Sequence, residues 1–521
     1  MTDVRILSEP LGGTPLSLLL QRGEAPSDWL RGTPVGRDGW RELAAERTGM
    51  RDWDSTWSAL EPALAASGPA ADRLARVRRE GGIVVTTGQQ PGLFGGPIYT
   101  WTKAMGALAL ADAIERATGI ATAAIFWAAT DDADFFEASY TVVARAGGAD
   151  RLVQQDVPEA GTPMALAPLG DVGAQLALLT SACGSAADPR PLEAVSRAYG
   201  DPRRTVGDAY VSLLRTLLAP LGVPVLDASH PAVFAASRPV LQDALDDAAD
   251  IERALLDRTA EIRATGFEPQ VEDMPGLALV FARDGARKRR LAANERVADN
   301  LVLTPNVLLR PIVEHAILPT VAYWAGPGEL AYFAQVTAAA AAMGRPVPLA
   351  VPRWSCTLLE PHVKTVLHRL GLQPDDLRLP YVAERRLARE AMDPRTAAGI
   401  AGLRADLAAL GDRLGPEPRE LGLDAVVQGA IGSLQHRVDR LERRLLAGVA
   451  RRESARMRDL GTARGALYPF GGRQERTLNL VPTLARHGLD LLGELRDAAA
   501  GHAEMIVQGA TVGATPAPIV A

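Results

Sequence analysis

Four carboxylates, Asp131, Asp132, Asp134 and Glu137, fall within seven residues, directly after the apolar run Ala121 to Trp127. Carboxylates crowded together repel, so at least one would hold its proton more tightly than usual. Such a group can serve as a general base, a metal ligand or an amine-binding site. The alternative is a solvated acidic turn in which Asp132 caps a short helix. A second stretch with chemical potential is Thr87-Gly88-Gln89-Gln90-Pro91-Gly92-Leu93-Phe94-Gly95-Gly96-Pro97, followed by Tyr99 and Lys103. Backbone N–H groups in a glycine loop that opens a helix can hold anions, or the glycines can simply let the helix pack close to a strand. The loop carries neither Gly-Lys-Ser/Thr nor Gly-x-Gly-x-x-Gly, so it is neither of the common phosphate loops.

A third stretch, Ala325-Gly326-Pro327-Gly328-Glu329, also opens a helical pattern, and Tyr332 and Gln335 continue the face of Glu329. Glu329 in a first helical turn would serve the helix dipole as well as a ligand. Arg310 lies beside a predicted helix start, and a guanidinium forks naturally onto a carboxylate. Arg287, Lys288, Arg289 and Arg290 form either a solvated hairpin turn or a basic clamp on an anionic substrate. His315 reads as a hydrogen-bonded core residue. Cys183 and Cys356 read as small buried apolar residues rather than nucleophiles. His362 and His368 are six apart, which does not match a helical metal pair, and no metal signature is found.

The elements that must position these groups follow from pattern. Ile83 to Thr87 is a β-branched run of strand type. Thr102 to Arg116 reads as a helix with Gly119 just past its end, and Ala121 to Trp127 as the next strand. A strand, glycine loop, helix and strand in this order build a parallel sheet, which binds ligands at the carboxyl ends of its strands. Leu221 to Ser229 is a further strand ending in a polar turn, where Asp227 and Ser229 either face the same cleft or cap a helix. Pro239 to Arg263 reads as one amphipathic helix. Ile400, Leu403, Leu407, Leu410 and Leu414 recur at alternating three- and four-residue steps, and so do Val427, Ile431, Leu434, Val438, Leu441 and Leu445. Gly415-Pro416 and Pro418 separate the two runs, which predicts an antiparallel coiled-coil hairpin.

The chain has 521 residues, enough for more than one core, and a net charge of −6, which argues against a general nucleic-acid binder. Two distant cysteines exclude a disulfide framework and fit a reducing cytosol. No signal peptide and no run long enough to span a membrane is visible, so a cytoplasmic protein is expected. Trp29, Trp40, Trp53 and Trp57 are expected to bury against the main body. The last dozen residues, with Gly and Pro among Ala and Val, are expected to be poorly ordered.

The wording of several segments goes beyond spacing. Thr87 to Pro97 resembles the signature of the cysteine ligase family of bacillithiol biosynthesis. Phe126-Trp127-Ala128-Ala129-Thr130-Asp131-Asp132-Ala133-Asp134-Phe135 resembles its Phe-Trp-x-x-x-Glu-Asp-His-Asp-Phe stretch. Leu318 to Tyr323 with Gly326 to Tyr332, Pro352 to Ser355 with Thr357 to Pro361, and Gly472 to Arg476 with Asn479 follow in the family's order. The departures are Asp131 for the usual Glu and Ala133 where many members carry His, which counts against a mechanism built on a histidine base there.

The resemblance implies an α/β fold: a Rossmann-like parallel-sheet core with inserted connecting segments and an antiparallel α-helical coiled-coil arm. The expected organisation is a helical lead-in over 1–80, a ligase core over 81–390, the hairpin arm over 391–465 and a segment returning to the core over 466–521. The implied reaction joins L-cysteine to the glucosamine amine of glucosaminyl-malate, with ATP or another nucleotide activating the cysteine carboxylate. Asp132, Asp134 and Glu329 are the catalytic candidates. Gly88, Gln89, Gln90, Gly95, Gly96, Tyr99, Arg310, Gly326, Gly328 and Tyr332 are the substrate-binding candidates, with Arg310 on a malate carboxylate. Tyr468, Arg473 and Gln474 are the nucleotide candidates. A homodimer through the coil is implied; no nucleic acid, membrane or metal partner is expected. The rivals are a ligase or transferase of the same fold acting on another thiol or sugar, and a non-catalytic coiled-coil scaffold.

Overall fold

Strand β1 (Ile83–Gln89) is buried from Ile83 to Gly88 and has a parallel neighbour on each side. A β-branched run of this kind needs cover on both faces, the condition of a central strand in a parallel sheet. The computed structural model describes residues 2–49, 53–298 and 300–510. From β1 the chain passes through α1 (Ile98–Thr118), β2 (Thr122–Ala128) and, after a helical excursion, β3 (Val225–Asp227). Then come α2 (Pro231–Asp246), α3 (Ala248–Ala264) and three antiparallel strands, β4 (Leu277–Asp284), β5 (Arg287–Ala292) and β6 (Val302–Pro305). The chain returns through α4 (Arg310–Ile317), β7 (Thr320–Ala325), α5 (Pro327–Ala342) and β8 (Ala350–Pro352). The parallel sheet has the order β8-β7-β1-β2-β3. The chain leaves β1 toward β2 and later comes back on the other side as β7. The gap between the β1 and β7 carboxyl ends is therefore a topological switch point, the place where such sheets bind ligands.

Helix α1 starts a turn earlier than its apolar pattern predicts, directly behind Pro97, and ends at Gly119 in the left-handed region (φ 75°). It is buried nearly all round, as a helix between the sheet and a second helical layer must be. That layer includes α8 (Asp490–Val507; α6 and α7 are defined below), so the C-terminal segment completes the core around α1. β1 runs two residues beyond the predicted Thr87 because Gly88 lies against its neighbour strand. A Cβ there would stand 2.9 Å from the Trp127 carbonyl oxygen.

The single helix expected over Pro239 to Arg263 is two. Asp247 leaves helical geometry (φ −92°, ψ 10°) and separates α2 from α3. The four N-terminal tryptophans are buried. Trp53 and Trp57 pack with Val84, Ile125 and Leu226, and the Trp40 Nε1–H donates to the Val507 carbonyl at 3.2 Å. Both cysteines are buried free thiols. Burial pushes the Cys183 thiol up to about 11 and Cys356 well above its ordinary value, as structural cysteines require.

The chain divides into two compact units, one holding the described residues of 1–143, 151–358 and 475–521, the other Ala144–Asp150 and Leu359–Gln474. The second contains helices α6 (Pro394–Ala408) and α7 (Asp424–Arg452), which pack on each other. Arg404 pairs with Asp439 at 2.7 Å and Glu442 at 2.5 Å, while Gly411 lies beside Gln428 and Ile431. Rising numbers on one side meet falling numbers on the other, so the hairpin is antiparallel. Its seam is only partly covered. Ile400 and Ile431 are buried, but Leu403, Leu414, Leu434 and Leu441 are 41–46% exposed. Part of the α7 surface is covered instead by Ala388 and Met392, which pack on Leu446. Among the described residues no helix is long and apolar enough to cross a membrane. The last dozen residues lie, apart from Ala510, outside the described residues.

Candidate functional site

A chamber of about 670 Å³ opens at the switch point. Its floor is set by the two strand ends. From the β1 side come Gly88, Gln89, Gln90, Tyr99 and Lys103, with Tyr99 and Lys103 on one face of α1 at i, i+4 spacing. From the β7 side come Tyr323, Gly326, Gly328, Glu329 and Tyr332.

Lys103 and Glu329 join these halves. The Lys103 side chain is 2% exposed, and its ammonium donates to both Glu329 carboxylate oxygens (2.9 and 2.8 Å) and to the Gly88 carbonyl (2.5 Å). Burial pulls the Lys103 amine down to about 8, against the opposing pull of Glu329. Burial alone would raise the Glu329 carboxyl, but Lys103, Arg310 and the hydrogen bonds from Lys103 and Tyr323 outweigh it and hold it below the ordinary carboxylate value. Besides Lys103, Glu329 accepts from the Tyr323 hydroxyl and, at 2.6 Å, from the Gly326 N–H. A carboxylate has about four acceptor positions, so this one is saturated. These bonds tie α1 to the Gly326 loop.

Asp132 is different. It lines the chamber and accepts from the Gln90 amide and from the Asp134 N–H (3.1 Å), which leaves acceptor capacity toward the cavity. Asp131 also lines the chamber, 3.6 Å from Lys288. Burial, with a further push from Asp132, lifts the Asp131 carboxyl above its usual value against the pull of Lys288. Asp134 points elsewhere. It is exposed and caps the short helix Phe135–Ala138 by accepting from the Glu137 N–H at 3.2 Å. The capping role read for Asp132 thus belongs to Asp134. Asn caps as well as Asp, so Asp134→Asn is expected to leave turnover within about twofold; a product-formation assay checks this.

The glycine loop is less open than its composition suggests. The N–H groups of Gly95 and Gly96 are used inside the loop, on the Gly92 and Leu93 carbonyls (3.0 and 3.2 Å). Neither residue lines the chamber. Gly95 has φ +90°, and a Cβ there would meet the Trp101 ring at 2.7 Å. These two glycines serve the turn and its packing. Asn479 locks the loop, donating to the Phe94 carbonyl at 3.0 Å and the Gly96 carbonyl at 3.3 Å.

Arg310 lines the chamber, bonded to Glu314 at 2.9 Å and to the Tyr332 hydroxyl at 3.0 Å, with its guanidinium 4.8 Å from the Tyr323 ring centroid. The basic run falls on the β4–β5 hairpin, so its side chains alternate. Lys288 and Arg290 line the chamber, while Arg289 pairs outside with Glu295 at 2.5 Å. His315 is buried, and burial, with nearby Arg47, pushes its imidazole well below the ordinary value. Asp227 accepts from the Ser229 N–H at 3.1 Å and from the Thr130 hydroxyl, which itself accepts from the Ser229 N–H at 3.1 Å; neither residue lines the chamber, and His230 caps α2. Of the nucleotide candidates, Tyr468 and Arg473 are half-buried in the second unit; Gln474 is buried and donates to the Ala466 carbonyl at 2.8 Å.

Lys103, Asp131, Tyr323, Arg353 and Arg476 also line the chamber but are not among the residues given a catalytic or binding role from the sequence. The i, i+4 relation of Tyr99 and Lys103 and the alternation at Lys288 were the available signals. The Arg353 and Arg476 placements depend on distant segments. Among the described residues no group of three or more metal-ligating side chains is found.

Comparison with known proteins identifies two family domains that meet near a boundary of the two units, at residues 354–359, although residues 475–506 fall in the second family model and in the first unit. Residues 58–301 and 298–354 match the family model for the N-terminal Rossmann-like domain of bacillithiol biosynthesis BshC, and residues 356–506 match that for its C-terminal coiled-coil domain. A relative from Koribacter versatilis is 31% identical over 84% of this chain and 86% of its own. One from Symbiobacterium thermophilum is 30% identical over 90% and 93%, and one from Solibacter usitatus 29% over 84% and 87%. All three bear the name "Putative cysteine ligase BshC".

Proposed function

The chain belongs to the BshC family of bacillithiol biosynthesis, a cysteine ligase family, and from that premise we propose that it forms the amide between the carboxylate of L-cysteine and the glucosamine amine of glucosaminyl-malate. The observation that carries this reading is the charge of the chamber. Six basic side chains line it, Lys103, Lys288, Arg290, Arg310, Arg353 and Arg476, against four acidic ones, Asp131, Asp132, Glu137 and Glu329. Behind the wall Glu475 pairs with Arg353 and Glu314 with Arg310, so the chamber is one of mixed charge, which suits an acceptor that carries both a dicarboxylate and an amine. Arg310 and Lys288 take the malyl carboxylates. Asp132 orients the amine and accepts the proton it must lose. Glu329, saturated by its donors, keeps Lys103 and the two loops in register.

A carboxylate and an amine do not condense unaided in water, and a bound nucleotide supplies the leaving group. The chamber fits such an anionic co-substrate in charge and, at about 670 Å³, in size. In the second unit Tyr468 and Arg473 are proposed to contact a nucleotide of their own, separate from the chamber, with Gln474 bracing their turn. The half-covered leucine seam of the hairpin is proposed to meet a second copy. No metal ligand is assigned.

The test is mass spectrometry of the purified protein with glucosaminyl-malate, L-cysteine and ATP, each omitted in turn. The conjugate is expected only with all three, and release of AMP or ADP identifies the activation. Conjugate without ATP would refute nucleotide activation; none from folded protein would refute the substrate assignment.

A further inference from the structure

The chamber has a side pocket of about 160 Å³, and the residues at their junction carry more information than either space alone. Gln89, Gln90, Tyr99, Glu137 and Arg476 line both, and Glu137 and Arg476 are the charged ones among them. At about 160 Å³ the pocket is below the ~300–1,000 Å³ that houses drug-sized ligands, whereas the chamber lies within that range. The pocket therefore suits a ligand of a few heavy atoms, and a nucleotide or sugar conjugate must lie in the larger space. Its walls include Pro91, Gly92 and Pro97, which extend no long side chain into it.

The junction presents one charge of each sign, and neither is neutralised by a close partner. The Arg476 guanidinium lies 5.6 Å from the Tyr99 ring centroid. Arg353 also approaches that ring, at 5.8 Å, but its charge is already taken by Glu475 at 2.7 Å. Among the described residues Arg476 and Glu137 form no ion pair of their own. Glu137 and Arg476 both reach solvent, but partial burial of the Glu137 carboxyl, reinforced by Asp134 and Asp132, raises it above the ordinary value against the pull of Arg476. A carboxylate held in that way gains from a cation brought to it. An anion placed at Arg476 and a cation placed at Glu137 would belong to one small zwitterion.

We propose that the junction of Arg476, Glu137 and Tyr99 is the subsite for the α-amino acid substrate, with Arg476 on its carboxylate, Glu137 on its ammonium and the short side chain directed into the side pocket. The assignment rests on the ligase reading above and adds where cysteine lies. It places the reacting carboxylate at the opening toward the chamber and the thiol away from it, so that the wrong nucleophile is kept from the activated carbon. Short side chains are selected by the pocket's size, and the pair of charges selects against analogues that lack either group.

Binding separates this subsite from the reaction. With wild-type protein, glucosaminyl-malate and a non-hydrolysable ATP analogue, L-cysteine is expected to bind at least about tenfold more tightly than cysteamine, which lacks the carboxylate, or 3-mercaptopropionate, which lacks the ammonium. Glu137→Gln is expected to abolish the preference over 3-mercaptopropionate but keep that over cysteamine, and Arg476→Gln the reverse, with circular dichroism unchanged in both. If wild type binds no L-cysteine, or both variants keep both preferences, the subsite is wrong. If L-cysteine binds as described but no conjugate forms, the ligase reading fails and the subsite stands. If conjugate forms with an unchanged KM for cysteine in both variants, the subsite fails and the ligase reading stands.

Discussion

Lys103→Met is expected to lower kcat/KM by about 10²–10³-fold while the fold is retained. Methionine replaces the buried stem in volume but removes the charge that two Glu329 oxygens and the Gly88 carbonyl share. The chamber then loses a buried cation, and the half-buried Glu329 carboxylate is left with fewer partners. Breaking a buried pair from one side costs about 3–5 kcal/mol, so a lower unfolding midpoint should accompany the kinetic loss. The double variant Lys103→Met with Glu329→Gln separates the two effects. It removes both charges, so much of the stability is expected to return while turnover stays low. Full recovery of turnover would show that Lys103 acts only by keeping the loops folded.

The same geometry predicts a pH dependence. Burial lowers the Lys103 amine to about 8. Its proton is therefore lost as pH rises through about 8, and the neutral amine no longer compensates Glu329. In wild type, kcat/KM is expected to bend downward above that pH, a limb measured by product formation at saturating acceptor. A profile flat to pH 9.5 would exclude a role for the charged form.

Glu475→Ala is expected to destabilise the first unit by about 3–5 kcal/mol. Arg353 and Glu475 are each 2% exposed and meet through two parallel bonds, at 2.7 and 3.0 Å, with the Ser355 hydroxyl donating to the same carboxylate at 2.9 Å. The pair joins the segment after β8 to the chain that returns after Gln474. Removing the carboxylate strands a buried guanidinium. Replacing both partners, as in Arg353→Met with Glu475→Leu, is expected to recover most of the loss, since a well-packed apolar pair can match a buried ion pair. Denaturant unfolding of the three proteins tests this, and equal midpoints for wild type and Glu475→Ala would refute it. Burial would raise the Glu475 carboxyl, but Arg353 and the hydrogen bonds hold it below its ordinary value of 4.5. A folded value below the unfolded one gives stability that is present above pH 4.5 and lost as pH falls through the folded value.

Much of the architecture could be read from local pattern. β-Branched runs marked β1, apolar runs marked β2, and Gly119 marked the end of α1, because strand and helix periods and turn residues act within a few positions. The alternating three- and four-residue steps predicted the α6–α7 hairpin for the same reason. What failed locally failed for definable causes. The Asp247 break is a backbone deviation inside a continuing apolar pattern, so periodicity passes over it. The hairpin leucines obey the heptad, but a heptad does not say how much of its seam a single partner helix covers.

The site divides along a similar line. Family wording and residue type were enough to bring Asp132, Glu329, Gln89, Gln90, Tyr99, Arg310 and the Gly326 loop to one chamber. Residue type could not tell a carboxylate with spare acceptor capacity from one already saturated, or either from a helix cap. Those distinctions belong to Asp132, Glu329 and Asp134 respectively, and each is set by which donors reach the oxygens. The decisive donor to Glu329 is Lys103, 226 residues away in sequence. Local sequence chemistry specifies elements and candidate groups; desolvation and hydrogen bonds between distant segments specify what each group can do, because both arise only when the chain closes on itself.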